Sequence, residues 1–124
     1  MEDIMIQLLL HLFGDFVVQN DWMALNKKEP GWIGIKTCAI HSITYALPFL
    51  LITSIWAVLL IGITHYIIDR GHLVEKYIQW HNGETYSKNF GYGKDRPFAI
   101  SIWLFIITDN TFHLIINFAL IALL

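Results

Sequence analysis

Histidine and aspartate four residues apart occur three times in this chain, as His11/Asp15, His65/Asp69 and, in reverse order, Asp109/His113. On a helix such residues share a face, so each pair would aim an imidazole and a carboxylate in the same direction. With six Asp and six His in 124 residues, random placement would give about 0.6 such pairs. All three pairs lie inside apolar runs, where ionisable side chains are costly and mark functional positions. Imidazole nitrogen and carboxylate oxygen form the donor set for zinc, iron or manganese, and carboxylate/His pairs on facing helices build metal centres inside bundles. His41, in a further apolar run, adds another imidazole. His11, Asp15, His41, His65, Asp69, Asp109 and His113 are therefore the candidate ligands of a divalent metal ion, zinc before manganese or iron. Asp15, Asp69 and Asp109 are also the candidate catalytic carboxylates. These groups exceed what one tetrahedral zinc takes and suit two cations, with some of them orienting the imidazoles of others.

The elements that must hold these groups are long and greasy. The chain is 56% hydrophobic with a mean hydropathy of +0.53, too apolar for a water-soluble domain of this size. The expected fold is all-α, a polytopic membrane four-helix bundle forming one domain over 1–124, with spans at about 4–24, 34–52, 54–70 and 98–122. Pro30-Gly31 reads as a break between the first two spans, Pro48 as a bend in the second, and Ser54 as the cap of the third. Beyond Gly71 an amphipathic stretch continues to Trp80 within a polar connection, 71–97. Its later part, rich in glycine, reads as a lid over whatever the helices hold. Pro97 suits the first turn of the last span. Glu2 and Asp3 stand where a cleaved leader would be basic, so no signal peptide is expected. Cys38, the single cysteine, can form neither an intrachain disulfide nor a Cys-rich zinc site.

Charge sets the expected orientation. Four spans place Lys27, Lys28, Lys36, Arg70, Lys76, Lys88, Lys94 and Arg96, all the Lys and Arg of the chain, on one side of the bilayer. By the positive-inside rule that side is cytoplasmic, and both termini face away from it. A mid-membrane Asp opposes insertion by about 2.5–3.5 kcal/mol, so Asp15, Asp69 and Asp109 need compensation. By depth most of the candidates converge near the basic end, with Asp109 the weakest fit. At that edge Gln19, Asp21, Trp22, Lys27 and Arg70 are candidate contacts to a polar or phosphorylated head group. His72 and His81 are expected at the interface or in the loop, and Asn110 and Asn117 as interhelical hydrogen bonders.

The run HLFGDFVVQNDWMALNKK (11–28), with His41, HYIID (65–69) and DNTFH (109–113), resembles a family of small multi-pass proteins of bacteria and their phages that carries a domain-of-unknown-function label. The likeness extends over nearly the whole chain, and the first run is its specific part. It implies a multi-pass protein of the bacterial inner (plasma) membrane and supplies no activity. The intramembrane His/Asp pattern is more loosely similar to that of membrane-bound metal-dependent hydrolases, although this chain departs from their His-rich motif. The expected function is a metal-dependent hydrolase acting on a lipid or lipid-linked, phosphorylated substrate at the cytoplasmic face. A homo-oligomer or a host membrane protein are the candidate protein partners, and no nucleic acid is expected. The same residues also fit a proton or ion pathway, bis-imidazole haem ligation, or a phage membrane scaffold whose polar pairs serve only packing.

Overall fold

The first apolar run forms helix α1 (Glu2–Leu12), which widens into a π-helical turn over Phe13–Val18 and stops where Gln19 turns extended. The computed structural model describes residues 2–85 and 88–124. Asn20 caps the next helix, α2 (Asp21–Asn26), its side chain accepting a hydrogen bond from the Met23 amide at 2.9 Å. Gly31, at φ 79, makes the reversal that Pro30-Gly31 signals, since a side chain is strained in that left-handed conformation. Helix α3 (Trp32–Ala46) then runs into a 3-10 turn at Leu47–Leu51. Pro48 sits within that turn, where its missing N–H ends the α-helical ladder.

Ser54 caps α4 (Ile55–Arg70) through the Ala57 amide, as its position in the sequence indicates. Left-handed backbone at His72, φ 52, then swings the chain into α5 (Leu73–His81), bent by 57° from α4. Gly91 lies so close to the α5 backbone that a side chain there would collide with Glu75 and Gln79. Asn89 donates to the carbonyls of Gly93 and Arg96. The segment is thus packed against α5 and α6 (Phe98–Leu123). Pro97 stands at the N-cap of α6, one residue earlier than expected.

The four longer helical segments alternate in direction. The start of α1 packs beside the end of α6, Asp15 meets His41 and His65, and Gly62 of α4 faces Ala46 of α3. Two apolar clusters close the two ends. One comprises Tyr45, Ala46, Phe49, Val58 and Ile61, and the other Ile68, Val74, Ile78 and Tyr92. Between them lies a polar layer.

Among the described residues the chain is all-helical. Two helical stretches are long and apolar enough to cross a membrane, Trp32–Leu51 and Phe98–Leu123, and the bent pair α4–α5 would make a third. The expected four spans reduce to these. The run 4–24 breaks at Gln19, leaving a helix that ends at Val18, short of the roughly 20 residues a bilayer demands. Helix α4 alone has only 16 residues.

Polarity is distributed inside-out. His11, Asp15, His41, His65, Asp69, His113 and Asn117 are buried, while Ile100, Trp103, Ile107, Ile115 and Phe118 of α6 lie open on the surface. A contiguous apolar exterior of this kind is costly in water and favourable in lipid, which is consistent with membrane association.

Candidate metal centre

Each apolar run delivers its His/Asp pair to the same polar layer. The π turn carries Asp15 inward, and α3, α4 and α6 bring His41, His65 with Asp69, and His113 with Asp109. Asp15 Oδ1 lies 3.2 Å from His41 Nε2 and 3.4 Å from His65 Nε2. Those two imidazole nitrogens are 2.9 Å apart. Asp69 Oδ2 lies 3.6 Å from His41 Nε2 and 3.5 Å from His65 Nε2. On the other side of the same carboxylate, Asp69 Oδ1 is 3.4 Å from His113 Nε2, which is also 3.6 Å from Asp109 Oδ1. Donors about 2.0–2.1 Å from a tetrahedral zinc stand about 3.3 Å from one another, and these separations bracket that value.

Among the described residues, two triads have donor atoms close enough to hold a metal ion: Asp15/His41/His65 and His65/Asp69/His113, all buried. Asp15 Oδ1 and His113 Nε2 have no hydrogen-bond partner in the protein, and buried polar atoms of that sort call for one. Asp109 and His11 fall outside both triads. Asp109 lies at the rim with its side chain 19% exposed. His11 lies on the far side of the layer, its Nε2 3.8 Å from Asp15 Oδ2 and 2.8 Å from Asn110 Oδ1.

The head-group candidates scatter. Lys27 enters the cluster, its ammonium donating to Asp69 Oδ2 at 2.9 Å. Burial alone would lower the pKa of that ammonium, but the carboxylates of Asp69, Asp15 and Asp109 outweigh burial and hold it above its ordinary value. Gln19 is half-buried, with its side-chain oxygen unpartnered. Asp21 and Trp22 stand on the exposed surface of α2, away from the cluster. Arg70 lies against Gly34 at the start of α3. Lys28 pairs with Glu75 and rests on the Phe105 ring, tying the α2–α3 link to α5 and α6.

Tyr45 and Asn117 belong to the layer although neither stood among the candidate site residues. The Tyr45 ring stacks on His65 at 3.8 Å between centroids, and its hydroxyl meets both His11 and Asn117 at 2.6 Å. Their sequence signal was a polar group facing inward from an apolar helix. A groove of about 350 Å³ on the outer side of α3 and α4, lined by Ala39, Ser42, Ala46, Gly62 and Tyr66 among others, includes none of the candidate ligands.

A family model described as Protein of unknown function (DUF3307) matches residues 4–124. The chain is a DUF3307 protein. No curated protein and no solved structure matches it significantly. Membership of DUF3307 therefore brings no activity with it, and the likeness to membrane-bound hydrolases gains nothing from the match. What the DUF3307 chain can do chemically rests on its own donors: a buried constellation of imidazoles and carboxylates within metal-binding distance of one another.

Proposed function

We propose that this protein is a membrane-embedded, metal-dependent hydrolase whose substrate is a lipid or a lipid-linked, phosphorylated molecule. The observation that carries the reading is the convergence of Asp15, His41, His65 and Asp69 on one buried point, together with the charge they leave there. Asp15 and Asp69 are buried around a single ammonium, that of Lys27, which donates to Asp69. Buried charge without a partner is strongly unfavourable, and a divalent cation beside the two carboxylates would offset it. His65 is common to both triads, and a nitrogen lone pair holds one ion, which favours a single ion held by Asp15, His41 and His65 with Asp69 adjoining. Such an ion would lower the pKa of a water and polarise a carbonyl or phosphoryl oxygen. One carboxylate, Asp69 adjoining the ion or Asp109 at the rim, would take the proton from the attacking water. Zinc suits the donor set best; manganese and iron are the alternatives. The basic end, carrying Lys27, Lys28 and Arg70, would face the cytoplasm of a bacterial inner membrane.

Metal analysis of detergent-purified wild type beside a His65→Ala, Asp69→Ala double variant tests this. About one zinc per chain in the wild type and none in the variant is expected. Negligible metal in both, after supply of zinc and manganese, would leave the reading without support.

A proton pathway is the second reading, favoured by the polar series from Asn117 through Tyr45, His11, Asp15 and Asp69 to Lys27. It requires metal-independent proton flux in proteoliposomes that Asp69→Asn abolishes.

A further inference from the structure

The hydrogen bonds around Tyr45 have directions that chemistry fixes. The Asn117 side-chain amide nitrogen is a donor only, so at 2.6 Å the Tyr45 oxygen accepts from it. That leaves the Tyr45 O–H to donate, and its other partner is His11 Nδ1, also at 2.6 Å. His11 Nδ1 must then be the acceptor, and a neutral imidazole that accepts at Nδ1 carries its proton at Nε2. The Nε2 partner agrees, because Asn110 Oδ1, 2.8 Å away, can only accept. Each donor in the series Asn117, Tyr45, His11, Asn110 thus meets an acceptor. His11, Tyr45 and Asn117 are almost wholly buried, so water does not compete for these bonds.

We infer that His11 is not a metal ligand, and that Tyr45 is a positioning residue which, together with Asn110, fixes the His11 tautomer and, by ring stacking, sets the plane of His65. With both of its nitrogens committed, His11 has no lone pair for a cation. Its Nε2–H is given to Asn110 Oδ1, and Asp15 Oδ2, 3.8 Å from that nitrogen, is packed beside the ring without a hydrogen bond to it. His65 Nδ1 has no hydrogen-bond partner in the protein, so the one hydrogen bond on that ring is at Nε2, 2.9 Å from His41 Nε2. A single bond leaves the ring free to turn about it, and the Tyr45 ring sets its plane, stacked on it at 3.8 Å with an interplanar angle of 18°. Gly14 permits this placement, since a Cβ there would stand 2.6 Å from Tyr45 Cδ2. The assignment rests on the metal-site reading only for its effect on metal; the tautomer stands apart from it.

The experiment has two arms. In the first, ¹⁵N NMR of His-labelled, metal-free protein in detergent reads the His11 tautomer. The wild type should show the Nε2–H form, and Tyr45→Phe, which keeps the ring and removes only the hydroxyl, should leave Nε2–H on Asn110 Oδ1 and move the His11 Nδ1 resonance to that of a lone pair with no donor. A wild-type His11 protonated at Nδ1 would overturn the inference. In the second arm, zinc is titrated into His11→Gln, His41→Gln, Tyr45→Phe and Tyr45→Leu. His11→Gln should keep its zinc stoichiometry with affinity weakened about 10-fold, the scale of an outer-shell change, whereas His41→Gln should lose the ion. Tyr45→Leu should weaken zinc more than Tyr45→Phe, because it also removes the ring against His65. Loss of zinc from His11→Gln as complete as from His41→Gln would make His11 a ligand and end the inference while leaving the metal site intact. Should the wild type bind no zinc, the metal reading fails, and the NMR arm alone decides the tautomer.

Discussion

Lys27 shows how much one side chain decides in a layer of this kind. It joins the chain at the link between α2 and α3, yet its ammonium sits against Asp69, 42 positions away in sequence. Its raised pKa means that the pair stabilises the fold fully below the ordinary lysine value of 10.5 and loses that contribution as pH climbs through the higher folded value. Neutral and mildly alkaline conditions leave it intact. Lys27→Met would strand the buried Asp69 carboxylate, at a cost of about 3–5 kcal/mol. The expected outcome is a lower melting temperature in the presence of a chelator, with zinc restoring more stability to the variant than it adds to the wild type. Equal melting curves for both proteins in chelator would show that Lys27 does nothing for Asp69. The His/Asp pairs were legible in the sequence because burying a charge in an apolar run demands a reason. The partner of Lys27 was not legible. Its position beside Trp22 at a helix end fits head-group binding equally well, and only the tertiary fold turns it inward.

At the scale of elements, the turn that departs from regular α-helix is the one that carries Asp15. A π-helical turn inserts an extra residue and rotates the faces that follow, a device that recurs at functional sites. Here it brings both Gly14 and Asp15 to the interior, with Gly14 against Tyr45 and Asp15 against His41 and His65. Gly14→Ala would set a methyl 2.6 Å from Tyr45 Cδ2 and 3.2 Å from the Tyr45 Cα and carbonyl oxygen. Neither the ring, stacked on His65, nor the α3 backbone can yield cheaply, so overpacking should cost about 1–3 kcal/mol. It should also weaken zinc binding, because Tyr45 and Asp15 move together. Thermal melts and zinc titration of Gly14→Ala check both, and a variant with wild-type stability and affinity would show that the close approach has no consequence. Sequence punctuation located the other boundaries well: Pro30-Gly31, Pro48, Ser54 and Pro97 each act where local chemistry places them. The break at Gln19 was missed because Gln19 to Met23 offers no Pro or Gly. Asn20 ends one helix only by capping the next.

For the molecule as a whole, the apolar exterior is consistent with membrane association, and helix length limits how many helices could cross. Helix α6 presents apolar side chains on nearly every face, and at 26 residues it exceeds the length of the hydrocarbon core. It is therefore the element whose ends must lie on opposite sides if the chain spans at all. Lys94 and Arg96 stand just before α6, so if α6 spans, the positive-inside rule predicts its first turn at the cytoplasmic face. The single native cysteine makes this measurable. Cys38 is fully buried, and a Cys38→Ala background leaves room for one introduced thiol at a time. Lys94→Cys should react with a membrane-impermeant maleimide only in inside-out vesicles, and Leu124→Cys only from the opposite face. Both thiols reacting from one face would mean that α6 lies along the membrane or re-enters it. The polar layer would then be closed by lipid head groups rather than hydrocarbon, and the cost that calls for a cation at Asp15 and Asp69 would fall with it.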